Sequence, residues 1–210
     1  MIYLHDDYIE KYQNTFSYLV GRAIEEKYNF NYIENTIALS KMCFELEHSN
    51  VTTIAFSSEE KIYSDLFPLK DNVIDVDMFG PYGWLGIIYI NLFLELKTTF
   101  QFLFYVLPIE EALNLYVLYH EMDYSQVLDY VKKKIKYSHL DVVMSKQKMS
   151  SVKLSELSGV SSATINAIRY QKRDFDKLEA KKASQIAASL NVKIESLISK
   201  IPLVFDKRYG

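Results

Sequence analysis

Cysteine occurs once in the 210-residue chain, at Cys43, which excludes an internal disulfide framework and any zinc site built from a cysteine cluster. A reducing, cytoplasmic setting is the simplest expectation. Glycine occurs six times, never with the spacing of a phosphate-cradling loop, so a nucleotide site of that kind is excluded too. The four histidines, His5, His48, His120 and His139, are scattered. The local group Tyr119, His120, Glu121, Met122 and Asp123 has the residue types of a metal site but not a ligand spacing, because adjacent helical residues point in different directions. Cys43, between Met42 and Phe44, reads as a small buried apolar group rather than a nucleophile. No catalytic residue, metal or cofactor is therefore expected. A basic leader is missing as well: the start, MIYLHDDYIEKY, carries acids where a signal peptide carries a basic segment and then an apolar run.

Uninterrupted apolar runs are also scarce. The longest candidate, residues 84–107 (WLGIIYINLFLELKTTFQFLFYVL), is broken by Glu95, Lys97, Thr98, Thr99 and Gln101, and charges there exclude a membrane span. It reads as two buried elements broken near 97–99 or as one long buried helix. Part of it could face a partner subunit or line an apolar pocket.

Charge is unevenly spread. Residues 1–135 hold 20 Asp+Glu against 10 Lys+Arg, a net of −10, whereas residues 136–210 hold 7 against 14, a net of +7, which together give the overall −3. Of the 30 aromatic residues, 26 lie in residues 1–137. Two domains follow, 1–135 and 136–210, of which a duplex would attract only the second. The lysines Lys132, Lys133, Lys134 and Lys136 mark the junction and read as a solvated helix end.

In the first domain, Ile9, Tyr12, Phe16, Leu19, Val20 and Ala23 recur at three- and four-residue steps and predict a helix over 7–27. A second, less regular one is expected over 31–47. Residues 51–56, VTTIAF, are rich in β-branched types and predict a short strand. Residues 71–77 read as a surface loop or edge strand. Pro108 starts a helix with Glu110 and Glu111 in its first turn, and Asp123 or Ser125 caps another. The topology of residues 1–135 stays open, since several apolar runs fit helix or strand equally.

The informative stretch is 150–178, SSVKLSELSGVSSATINAIRYQKRDFDKL. Val152, Leu154 and Leu157, then Val160, Ile165 and Ile168, fit two short helices whose inner faces meet across a tight turn at Gly159. Gly159 suits a left-handed stop, Val160 drops into the seam and Ser161 caps the second helix. That helix turns Ser162, Ala163, Asn166, Ala167 and Arg169 outward. Small residues near its start allow close approach to a major groove, and Asn166 has the amide geometry to pair an adenine edge. Gln171, Lys172 and Arg173 follow where they can grip phosphates. An ordinary helical hairpin is the alternative.

On Leu154, Gly159-Val160-Ser161, Thr164-Ile165, Ile168, Lys172-Arg173 and the later Ile186, Ala187, Leu190, Val192 and Leu197, residues 140–201 resemble the phage-repressor (XRE, lambda-repressor-like) helix-turn-helix family. The resemblance implies a five-helix DNA-binding domain whose second and third helices form the motif, with further helices over 180–190 and 194–201. It implies base reading by Ser162, Ala163, Asn166 and Ala167, and phosphate contact by Ser151, Thr164, Arg169, Gln171, Lys172 and Arg173. Ser151 stands where many members have a phosphate-touching glutamine, and Ser155 replaces the usual alanine. The expected fold is thus mainly α, the five-helix domain being preceded by a mostly helical, aromatic-rich domain with a few short strands.

Three functions remain to be weighed. The first is a sequence-specific transcriptional regulator, a repressor that acts as a homodimer on a palindromic operator, with two recognition helices about 34 Å apart. Its first domain would bind a small ligand or a protein partner. The second is an antitoxin-like protein whose acidic domain neutralises a basic partner. The third is an enzyme with an appended DNA-binding domain, for which no cluster of polar groups is evident.

Overall fold

A computed structural model describes residues 6–68, 75–135 and 138–198. Among these, every regular element is helical and no strand occurs. The frame is helix α1 (Asp6–Glu25), whose Tyr12, Phe16, Leu19, Val20 and Ala23 are fully buried.

The helix expected over 31–47 is two helices, α2 (Phe30–Ala38) and α3 (Lys41–Glu47). The break is a capping decision: the Ser40 hydroxyl accepts the Cys43 N–H at 3.1 Å, which favours a fresh start over continuation. The strand expected over 51–56 is instead helix α4 (Thr52–Phe56). There the β-branched preference is overruled by partners for the first-turn donors, since Asn50 Oδ1 accepts the Thr52 N–H at 3.0 Å and Glu45 Oε2 accepts that of Thr53 at 2.6 Å. A strand would have needed a neighbouring edge, and only helices surround it. Helix α5 (Glu59–Leu66) follows, capped by Ser58. Residues 75–77 are irregular and not an edge strand, and the remainder of the expected 71–77 segment lies outside the described residues.

The apolar run resolves into α6 (Pro81–Leu96) and α7 (Phe100–Val106), bent by 109°. Lys97, at φ 48°, ends α6 in the left-handed region, and Thr99 caps α7 by accepting the Phe102 N–H. Among the described residues no single helix is long and apolar enough to cross a membrane. Helices α1 and α6 make the most extensive packing in the molecule, and Gly86 permits it. A Cβ there would stand 2.1 Å from Ser17 Oγ and 2.2 Å from the Gln13 carbonyl oxygen. Around this crossing Phe16, Tyr89, Phe93, Phe100 and Phe104 stack or tilt against one another, each ring contributing roughly 1.5–3 kcal/mol by burial. Helices α8 (Ile109–Tyr119) and α9 (Tyr124–Lys134) complete the first half; Asp123 caps α9. Of the junction lysines, Lys132 and Lys133 are exposed at the α9 end, while Lys134 pairs with Glu111.

The second half is α10 (His139–Lys146), α11 (Ser151–Ser158), α12 (Ser162–Arg169), a 3-10 turn (Phe175–Lys177), α13 (Ala180–Leu190) and a final 3-10 turn (Ile194–Leu197). The helix expected over 194–201 is therefore a short turn as far as residue 198, beyond which it leaves the described residues. Residues 138–198 seat on α7 through a continuous hydrophobic core, and an ion pair joins them to α3. His139 stacks on Phe102 with ring centroids 3.6 Å apart, Thr99 Oγ1 and Ser196 Oγ share a hydrogen bond of 2.7 Å, and Lys193 Nζ pairs with Glu47 Oε2 at 3.0 Å.

Candidate nucleic-acid interface

Helix α11 stops at Gly159, whose φ of 70° places it in the left-handed region. A Cβ at Gly159 would meet nothing within 4 Å, so the glycine serves backbone conformation rather than space. The Ser158 hydroxyl donates to the Leu154 carbonyl at 2.6 Å and accepts the Val160 N–H at 3.2 Å. This turns Val160 into the core, where it is buried with Leu154, Ile165 and Ile168. Ser161 then caps α12, its hydroxyl accepting the Thr164 N–H at 3.3 Å. The inner face of α11 departs from expectation. Ser151, Leu154 and Ser158 face inward, whereas Val152 and Leu157 are 63% and 52% exposed. Leu154 fixes the phase, and the other two apolar residues lie off its stripe by a helical step each.

The outward face of α12 presents Ala163 exposed and Ser162, Asn166 and Ala167 half-buried. These small groups leave the helix start open, with no bulky side chain projecting from it. Asn166 is held from below: Ser151 Oγ donates to its Oδ1 at 2.6 Å. Thr164 is half-buried, its hydroxyl 2.9 Å from that of Ser161. Arg169 is not turned freely to solvent. Its Nε donates to Asp141 Oδ1 of α10 at 2.5 Å, and its guanidinium lies 5.4 Å from the Tyr170 ring centroid.

Past α12 the chain folds back on the helix end. Gln171 takes φ 56°, and the N–H groups of Lys172 and Arg173 both donate to the Ala167 carbonyl, at 2.8 and 3.0 Å. The Gln171, Lys172 and Arg173 side chains are thereby exposed beside one another. The nearby acids are answered locally: Asp174 pairs with Lys177 at 2.6 Å and Glu179 with Lys182 at 2.8 Å. The Asp174 contact holds the Lys177 ammonium above its ordinary range. Lys172 and Lys181 have no ion pair among the described residues, so the edge beside α12 keeps positive charge.

The structure thus brings Ser151, Ser162, Ala163, Asn166 and Ala167 to one surface, with Gln171, Lys172 and Arg173 at its rim, and directs Arg169 to an internal pair. Sequence reasoning missed Asp141, since nothing local marks a partner 28 positions away. Among the described residues no cluster of histidine, cysteine or acids could hold a metal ion. Cys43 is fully buried, and burial pushes its thiol pKa up.

Two short helices crossing over a glycine turn, the second with an open, small-residue face and a cationic rim, define a helix-turn-helix DNA-binding domain. Residues 139–202 match the Cro/C1-type HTH DNA-binding domain family, and the match leaves the first 138 residues unassigned. No curated protein and no solved structure matches the chain.

Proposed function

We propose that this chain is a sequence-specific transcriptional regulator, a repressor whose first half, residues 1–135, senses a small ligand or partner and whose second half, 136–210, reads an operator. The observation that carries this is the placement of α12. Residues of α10 and the final turn seat the domain on the first half, while α12 packs chiefly against α10 and α11 of its own half and keeps Ala163 exposed and Ser162, Asn166 and Ala167 partly exposed. A groove-reading helix must be free in that way. One recognition helix gives little discrimination, so a homodimer on a palindrome is the working arrangement. The chemistry is binding rather than catalysis and uses no cofactor.

The test is binding of the full chain to its own upstream region against random duplex across a salt series. Tighter binding to the upstream site, by on the order of a thousandfold, supports the reading. Equal binding to both duplexes sinks it. A second reading, an antitoxin-like neutraliser, is favoured by the net −10 of residues 1–135 together with the exposed Phe56, Phe79 and Val117 of the same half. Co-purification of a basic partner protein would support it over the first.

A further inference from the structure

A cleft of about 270 Å³ opens where α2, α7, the start of α8 and α10 come together, so it is walled by both halves of the chain. Phe104, Pro108 and Ala38 give it an apolar side, and Glu34, Tyr105 and Lys146 bring polar groups to it. Glu34 is fixed in place. Its Oε1 accepts the Ile109 N–H at the head of α8 at 2.7 Å, and among the described residues no group donates to Oε2. Lys146, the last residue of α10, has no ion-pair partner among the described residues, and its charge acts on Glu34 across the cleft. Tyr105 is fixed from behind: its oxygen accepts Gln147 Nε2–H at 2.8 Å, leaving the hydroxyl hydrogen to donate.

Two opposite charges that line one cavity without closing on each other are complementary to a molecule that carries both. Among the described residues the Glu34 carboxyl has no counter-charge in contact, and burial pushes its pKa up to about 7; a cationic ligand group placed beside it would favour its charged form. The volume lies at the small end of ligand sites, which begin at about 300 Å³, and suits a metabolite of few atoms rather than a nucleotide.

We propose that this cleft is an effector site for a small zwitterion of the amino-acid class, its ammonium group held by Glu34, its carboxylate by Lys146 and Tyr105, and its side chain by Phe104 and Pro108. The proposal deepens the ligand-sensing part of the function proposed above and rests on it for its consequence. Lys146 and Asp141 lie on the same short helix, and Asp141 grips Arg169 of α12. A ligand that draws on Lys146 therefore acts on the element that holds the outward helix.

The experiment uses the full chain without DNA. Each standard amino acid is added to the wild type and the melting temperature recorded, with the N-acetylated and decarboxylated forms of any binder as controls. At least one amino acid is expected to raise it by about 5 °C or more at a hundredfold excess over its Kd. Each control, lacking one charge, is expected to bind at least about tenfold more weakly, as are Glu34→Gln and Lys146→Met, while Lys146→Arg retains binding. No shift with any amino acid overturns the proposal, as does an unchanged shift in Glu34→Gln or equal binding of a control. Titration of duplex without effector is run in parallel. DNA binding with no zwitterion binding removes this site and leaves the regulator; zwitterion binding with no DNA binding supports the site and removes the regulator.

Discussion

The hydroxyl of Ser151, in the first turn of α11, donates to Oδ1 of Asn166 on the outward face of α12 at 2.6 Å. Two residues that sequence placed in different roles, phosphate contact and base reading, are thus one unit. The bond leaves Nδ2 free to donate and one Oδ1 lone pair free to accept, the pattern adenine requires. On a selected cognate duplex Asn166→Ala should cost roughly 1–3 kcal/mol, and much less on random DNA. Ser151→Ala, which removes only the orienting bond, should cost about 1 kcal/mol. Unchanged cognate affinity in Asn166→Ala would show that another residue reads the base.

Lys172 and Arg173 stand at the rim with their side chains in solvent. Contacts to phosphate carry no sequence information, so replacing either by alanine should weaken cognate and random duplex alike. It should also flatten the slope of log K against log salt by about 0.9 per residue. Fluorescence anisotropy at several salt concentrations reads both quantities. A loss confined to the cognate site would assign that residue to base reading.

Arg169 behaves differently because its partner is internal. The pair with Asp141 is mostly shielded, with side-chain exposures of 23% and 16%, and it ties the end of α12 to α10. Arg169→Ala should destabilise the chain by about 1–3 kcal/mol in urea titration, leaving a poorly solvated carboxylate behind. Asp141→Ala should act in the same direction, and the double variant less than additively. Additive losses would mean that the two side chains do not depend on each other.

These residues also show what the sequence could and could not disclose. The turn was legible because its determinants are local: a left-handed stop at Gly159, an inward Val160 and a cap at Ser161 act within a few positions. The break in the apolar run near Lys97 was only one of two readings the sequence left open, the other being a single long helix. Illegible were features decided by distant partners. Residues 51–56 have strand-like composition, yet Glu45 and Asn50 supply helix-start acceptors and the neighbours are helices. Val152 and Leu157 are apolar but exposed, because Leu154 alone sets the phase of α11. The ties between the halves, from Thr99 to Ser196 and from Glu47 to Lys193, join residues about a hundred or more positions apart and leave no periodic trace.

His139 makes folding sensitive to acid. It is 6% exposed, lies flat on Phe102, and its Nδ1 has no hydrogen-bond partner among the described residues. Burial lowers its pKa from 6.5 to about 4. The folded state therefore binds its proton less readily than the unfolded state. The stability it permits is complete above about pH 6.5 and is lost as pH falls toward 4, by up to about 3 kcal/mol. Urea titrations at pH 7.5 and pH 5 should show a smaller drop for His139→Phe than for the wild type. An identical drop would mean that carboxylates elsewhere govern the acid limit.

The join between the halves rests on Glu47, whose side chain is 4% exposed. One of its oxygens accepts the Phe100 N–H at the head of α7 and the other meets Lys193 Nζ, each at 3.0 Å, while Lys193 also donates to the Ala38 carbonyl at 3.0 Å. Burial raises the Glu47 pKa and the lysine opposes that rise. Removing one partner strands the other charge, so Lys193→Met should cost about 3–5 kcal/mol. The double variant Glu47→Leu with Lys193→Met removes both charges and should recover part of that loss. It cannot recover all of it, because the Phe100 N–H and Ala38 carbonyl then lose their partners, at about 1–3 kcal/mol for each group left buried. Chemical denaturation of the three proteins, followed by signals from each half, would test this. The single variant should separate one transition into two, since it weakens the junction more than either core. A single shared transition in all three would place the coupling in the apolar contacts around Phe102 and His139 instead.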